Sequence, residues 1–342
     1  MIKRFVIVVC LCIGVCDSFS TNLAVLSTRT QRVLLRTNDG MLLWPTLQGK
    51  PQKARTTSKL ALNLVPSPDV ILPSLSAVSL ACLVPTLSGL IRREYTVSYA
   101  YGTAVAATAI LVMKSLAAAS VPINSIAFAH ALALAFYGIR LDIFLLYREI
   151  FIPRFRKLRE RIEEKAPPGS RLKRLPFILG CSALYGFMAA PLFASGKLMD
   201  PFLSLDGGVI TNLLRLAVGS TWGGFVLGAM GDVQKSVVKA TKGEDTLVTG
   251  GVYGLFRHPN YTGELIAWSA NGAAAFLSSV ALGVADGWPL LVCTVLGVFG
   301  INTVLMGATA GLEKRQAEKY GDSEEYKEWV KTSWVGFVKK SK

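Results

Sequence analysis

The sequence predicts an all-α protein, a polytopic membrane helix bundle of about seven transmembrane helices, and three observations lead there. Hydrophobic residues make up 51% of the 342 residues, charged residues only 17%, and mean hydropathy is +0.44. That balance is too apolar for an ordinary soluble domain. The apolar residues gather in blocks of about 20, the length a helix needs to cross a bilayer. The net charge of +15 falls in short runs between those blocks, a pattern of membrane topology rather than of a nucleic-acid surface.

The chain opens on Lys3 and Arg4, an apolar run at 5–15 and small or polar residues at 16–20, the layout of a secretory signal peptide. Residues 18–67 then hold seven Lys/Arg, one acidic residue and twelve Ser/Thr, a composition that buries little and reads as transit-like. With Phe19 near the junction, the presequence at 1–63 resembles the bipartite plastid presequence of algae with secondary plastids. This points to a plastid membrane, with a simple ER signal or signal anchor as the alternative.

Spans are expected near 70–91, 97–119, 126–147, 177–195, 209–228, 261–284 and 288–312. The connectors after the first, third, fifth and seventh carry Arg92 and Arg93, the basic run at 154–174, then Lys235, Lys239, Lys242 and Arg257, and finally Lys314, Arg315 and Lys319. The opposite connectors offer only Lys197, so the positive-inside rule places the basic loops in the cytosol or stroma. Lys114 lies near the far end of its span, where its stem can snorkel. Arg140, Asp142 and Arg215 fall within spans and are expected to face the bundle interior, with no partners assigned.

Cys10, Cys12 and Cys16 sit in the leader, while Cys82, Cys181 and Cys293 are scattered singly in apolar segments, as small buried side chains are. With His130 and His258 the only histidines, the composition argues against a metal site.

Three polar segments converge on the basic face, at 231–251, 250–264 and 313–333. In the first, Asp232, Lys235 and Lys239 stand at i, i+3 and i+7, on one face of a continued helix. One acid and two bases at a helix end can hold a ribose hydroxyl and phosphates, or form no more than a solvated helical salt bridge. In the second, Gly250 and Gly251 permit a tight turn and close approach to a ligand, and Pro259 suits a first helical turn. Tyr261, Glu264 and Trp268 then project from one side of the sixth span. An ionised Glu264 one turn inside the membrane costs about 2.5–3.5 kcal/mol on insertion scales unless partnered. Arg257 or a bound ligand is the expected partner. In the third, Glu313, Gln316 and Tyr320 repeat the spacing, and Tyr326 follows a turn.

These residues resemble the C-terminal region of the steroid 5α-reductase-like family. The matching elements are D-x-Q-K-x-x-x-K at 232–239, GGVYGLFRHPNYTGELIAW at 250–268 and EKYGDSEEYKEWVKTS at 318–333, and GIRLDIFLLYR at 138–148 resembles the family's third-to-fourth-span region. The likeness covers 138–333, with R-H-P-N-Y-x-G-E its specific core. It implies a bundle whose loops fold over NADPH in a pocket at the cytosolic or stromal face, the lipid substrate arriving from the bilayer. As cofactor contacts it implies Asp232, Lys235, Lys239, Tyr253, Arg257, His258, Asn260, Tyr261 and Glu264, with Tyr320 and Tyr326 closing the site. Phosphates do favour Arg and Lys donors. The domains are then the presequence 1–63, spans one to five at 64–230, and a cofactor-binding region with spans six and seven at 231–342.

A similar turn occurs in isoprenylcysteine carboxyl methyltransferases and phospholipid methyltransferases, which bind S-adenosylmethionine, and that is the alternative. The basic residues around the turn favour a phosphate-bearing dinucleotide. Lys314 and Arg315 stand where characterised steroid reductases have paired histidines, so the likeness does not extend to steroid specificity. The expected activity is reduction of a carbon–carbon double bond in a sterol, isoprenoid, fatty-acyl or pigment-like lipid. Tyr99, Tyr101, Tyr137 and Glu94 are candidate proton donors, none of them assigned. A non-enzymatic lipid-binding scaffold is the third reading, disfavoured by a carboxylate at the depth of Glu264.

Overall fold

The computed structural model describes residues 65–66, 71–164, 171–199, 208–282 and 284–339, so the presequence expected at 1–63 lies outside the described residues. All of these belong to the compact unit Leu62–Lys342. Among the described residues, six helices are long and apolar enough to cross a membrane: Arg93–Ala118, Ile126–Phe151, Arg171–Gly196, Val209–Lys242, Pro259–Leu282 and Gly287–Tyr320. The expected polytopic all-α bundle is what the chain forms.

The span expected at 70–91 is corrected. Ser74 caps α1 (Leu75–Thr86), its Oγ accepting from Ala77 N at 3.3 Å, and Pro85 then interrupts the ladder before a 3₁₀ turn over Leu87–Leu90. Helix and turn together extend about 26 Å, short of the roughly 30 Å of a bilayer core. The next helices are α2 (Tyr99–Ala118), α3 (Ile126–Phe151) and α4 (Pro153–Glu164). They are followed by α5 (Leu175–Gly196), α6 (Val209–Lys242), α7 (Val252–Leu255), α8 (Pro259–Leu282), α9 (Val284–Tyr320) and α10 (Glu324–Thr332). Two short antiparallel pairs complete the fold, β1 (Val65–Pro66) with β2 (Leu198–Met199), and β3 (Trp334–Val335) with β4 (Val338–Lys339). Helix α6 runs unbroken across 230/231.

Lipid is as apolar as leucine, so membrane helices hold together through small residues that let backbones touch. Gly224 and Gly263 bring α6 against α8: a Cβ on Gly224 would lie 2.4 Å from the Gly263 carbonyl, and one on Gly263 would lie 2.3 Å from the Gly224 carbonyl. Gly102 and Gly138 do the same for α2 and α3, and Gly297 seats α9 on the Phe187 backbone of α5. A buried triad adds polar glue, His130 of α3 lying 2.9 Å from Ser195 of α5 and 2.7 Å from Asn271 of α8.

The connectors predicted to share the basic face are joined to one another there. Arg93 N donates to Glu163 at 3.2 Å, Arg154 pairs with Glu244 at 2.8 Å, and Lys319 pairs with Asp245. Arg159 of α4 sits over the Tyr95 and Tyr99 rings and pairs with Glu94 and Glu149, fixing that basic helix beneath α2 and α3.

Candidate active site

Pro259 starts α8, so Arg257 lies just outside the helix and turns toward the chain end rather than toward Glu264. The pairing expected between those two residues is therefore corrected. Arg257 is 0% exposed, and its Nε donates to Glu313 of α9 at 3.0 and 3.1 Å. One terminal nitrogen donates to the Val330 carbonyl at 2.9 Å and to the Ser333 carbonyl at 2.8 Å, while its backbone N–H donates to Trp334. His258 lies 2.8 Å from the same Glu313 carboxylate. Arg257 and His258 thus clasp the C-terminal segment against α8 and α9.

The glycine turn serves the same closure. Gly251 has φ of 57°, a conformation open to glycine, and leaves room for Gln234, whose amide donates to the Gly250 carbonyl at 2.6 Å and accepts from Val252 N at 3.1 Å. The close approach expected for a ligand is made by this side chain. Tyr253 donates to the Gly231 carbonyl at 3.1 Å, and its own carbonyl accepts from Trp329 Nε1 at 2.6 Å. Burial pushes the Tyr253 phenol above its ordinary range, so it stays a donor. Tyr326 packs with Tyr253 and Trp329, and Tyr320 donates to the Asp245 carbonyl at 2.9 Å. Among the residues expected at the cofactor, Tyr253, Arg257, His258, Tyr320 and Tyr326 therefore fasten the C-terminal segment to the 245–258 loop, while the Asn260 backbone packs on Gly228 and Gly231.

Glu264 instead meets tyrosines from other helices. Tyr101 of α2 donates to it at 3.4 Å, and the buried Tyr137 hydroxyl of α3 faces it. Tyr101 stacks on Tyr185 at 5.4 Å, and Tyr137 stacks on Phe225 at 4.2 Å and meets Trp268 edge-on at 5.7 Å. Of the four candidate proton donors, Tyr101 and Tyr137 reach this cluster. Tyr99 and Glu94 belong to the Glu149–Arg159 network instead.

Above the cluster toward the basic face, Arg140 of α3 pairs with Asp232 of α6 at 2.5 Å and lies over the Tyr137 ring at 5.6 Å. Lys239 is drawn to the Glu244 and Thr246 carbonyls of the following loop. Lys235 and Arg148 lie within electrostatic reach of each other and of Asp232, and Tyr261 is near Arg148 and Glu264. Neither cation has an ion-pair partner among the described residues. Arg148 is held between the Phe144 and Phe155 rings. Arg148 was not singled out from the sequence; its place two turns beyond Arg140 on α3 is the signal that marks it.

Fold and site together define an integral membrane protein whose polar face gathers Arg140, Arg148 and Lys235 around Asp232 above an in-membrane carboxylate. The family model described as "Protein of unknown function (DUF1295)" matches residues 86–333, more than two thirds of the chain, and the chain belongs to that family. The family is associated with steroid 5α-reductase-like proteins. No curated protein and no solved structure matches the chain.

Proposed function

We propose that the protein is a membrane-embedded, NADPH-dependent reductase of a carbon–carbon double bond in a lipid of the sterol, isoprenoid or related kind, resident in a plastid membrane or, alternatively, the ER membrane. The observation that carries this reading is the pair Arg148 and Lys235, two cations that share the field of Asp232 at the polar face over Glu264 and make no close ion pair among the described residues. Such a donor set fits the phosphates of a dinucleotide, for which charge-assisted bonds are strongest. Arg148 and Lys235 would hold those phosphates, with Lys239 behind them and Tyr261 lining the path inward.

When bound, the cofactor would supply a hydride to one carbon of the double bond. The chain's own part is the proton. The buried Tyr137 hydroxyl, held facing Glu264, would donate its proton to the other carbon of the double bond, and Tyr101 has its own proton directed at Glu264. The surrounding rings exclude water, and Glu264 fixes the orientation of the two phenols.

The test is ligand-induced thermal shift on the detergent-solubilised protein with NADPH, NADH and S-adenosylmethionine. A ligand at a hundred times its Kd stabilises by about 2.7 kcal/mol. NADPH should raise the unfolding temperature most, and Arg148→Ala with Lys235→Ala should remove its advantage over NADH. A shift with S-adenosylmethionine alone supports the methyltransferase, and no shift with any of the three supports the scaffold.

A further inference from the structure

Helix α3 packs closely on α2, and α6 on α8, each through glycines that bring the backbones together. The α3–α6 seam is different, being spanned by side chains: Trp222 Nε1 donates to the Ala129 carbonyl at 2.9 Å, Phe136 stacks on Trp222 at 5.4 Å, and Arg140 pairs with Asp232. Two cavities lie along that seam, of about 390 and about 360 Å³, and Val233 lines both, so they form one groove. It follows α6 from Val226 to Thr241, about 22 Å at the helical rise.

The walls carry no charge. The Ser236 and Thr241 hydroxyls are spent on the helix itself, Ser236 donating to the Asp232 carbonyl and Thr241 to the Val237 carbonyl, which leaves Gln234 and Tyr147 as the other polar lining residues. Arg140 stands behind the groove, between Phe136 and Phe144 on one stripe of α3, with Phe136 lining one half of the groove and Phe144 the other. Arg140 and Asp232 retain 15% and 14% exposure, and Arg140 Nε is buried without a partner. Inward of Arg140 lies Tyr137, and beside that Glu264.

We propose that the α3–α6 seam is a lateral port for a single-chain lipid whose polar end is a hydrogen-bond acceptor, a carbonyl or carboxylate, and that the Arg140–Asp232 pair is its gate. The hydrocarbon chain matches an uncharged groove, and the acceptor meets the unused Nε donor of Arg140. Identifying this lipid with the substrate rests on the reductase reading; its binding in the groove does not.

Photolabelling tests this. The purified full chain is illuminated with diazirine-bearing palmitic acid, without nucleotide, and labelled peptides are mapped. Label should concentrate on residues 136–147 and 226–241. Val233→Trp fills the groove from a position already 59% exposed and should cut that labelling several-fold, while Met306→Trp, on the outer face of α9, should not. Val237→Trp repeats the test if the first variant fails to fold. Undiminished labelling in a folded groove variant, or label as heavy on α9 as on α6, overturns the proposal. The thermal shift with NADPH is read on the same variants: labelling without a nucleotide shift defeats the reductase reading alone, and a nucleotide shift without groove labelling defeats the port alone.

Discussion

Replacing Arg257 with alanine should release the C-terminal segment while leaving the bundle folded. The substitution leaves Glu313 facing His258 alone and deprives the Val330 and Ser333 carbonyls of their donor. Removing one partner of a buried ion pair is worth about 3–5 kcal/mol. Each abandoned buried carbonyl adds about 1–3 kcal/mol when it stays buried. The segment can swing into water and recover those bonds, so the lower figure governs. About 3 kcal/mol is roughly a hundredfold change in the docked-to-undocked ratio, at 1.4 kcal/mol per tenfold. Hydrogen–deuterium exchange in nanodiscs reads this at the amides of α10 and the following strands, where protection should fall by about that factor while α2, α3 and α8 are unchanged. Arg257→Lys keeps the charge but loses the planar fork, and should lie between. Unaltered protection of α10 in the alanine variant would refute the clasp.

Further outcomes follow from the same geometry. Gly224→Val forces a side chain into the Gly263 carbonyl and should destabilise by at least about 1–3 kcal/mol, read as a fall in unfolding temperature. Arg140→Ala should destabilise by about 3 kcal/mol because it strands Asp232, whereas the double variant Arg140→Met with Asp232→Leu should recover most of the loss in the same thermal assay. Tyr253→Phe removes the donor to the Gly231 carbonyl and should lower stability by about 1 kcal/mol without altering nucleotide affinity. Arg148→Ala and Lys235→Ala should each weaken NADPH binding about tenfold, as loss of a charge-assisted bond does, with little change in unfolding temperature.

Six membrane-spanning helices were legible because a run of apolar residues has few other fates in a bilayer, and the charge alternation set their order. The span expected at 70–91 proved too short, because hydropathy does not register that Pro85 ends the regular ladder early. Glu264 stood out as a carboxylate too deep to be idle. Its partners were hidden, since Tyr101 and Tyr137 come from helices more than a hundred residues upstream, and only the folded bundle brings them to it. Arg257 looked like the partner by proximity in sequence, yet the start of α8 at Pro259 separates the two, and the counterion is Glu313. Arg140 and Asp232 were each noticed without the other because ion pairs across a seam leave no spacing to read.

The central claim is that a hydride donor lodges at Arg148 and Lys235 above the tyrosines at Glu264. It is tested most directly by incubating the protein in its native lipid extract with deuterium-labelled NADPH and methyl-labelled S-adenosylmethionine together, and analysing the lipids by mass spectrometry. The account predicts deuterium in a reduced lipid, lost in the Tyr137→Phe variant and diminished in Lys235→Ala at sub-saturating NADPH. Methyl label in a lipid, with deuterium in none, would contradict it.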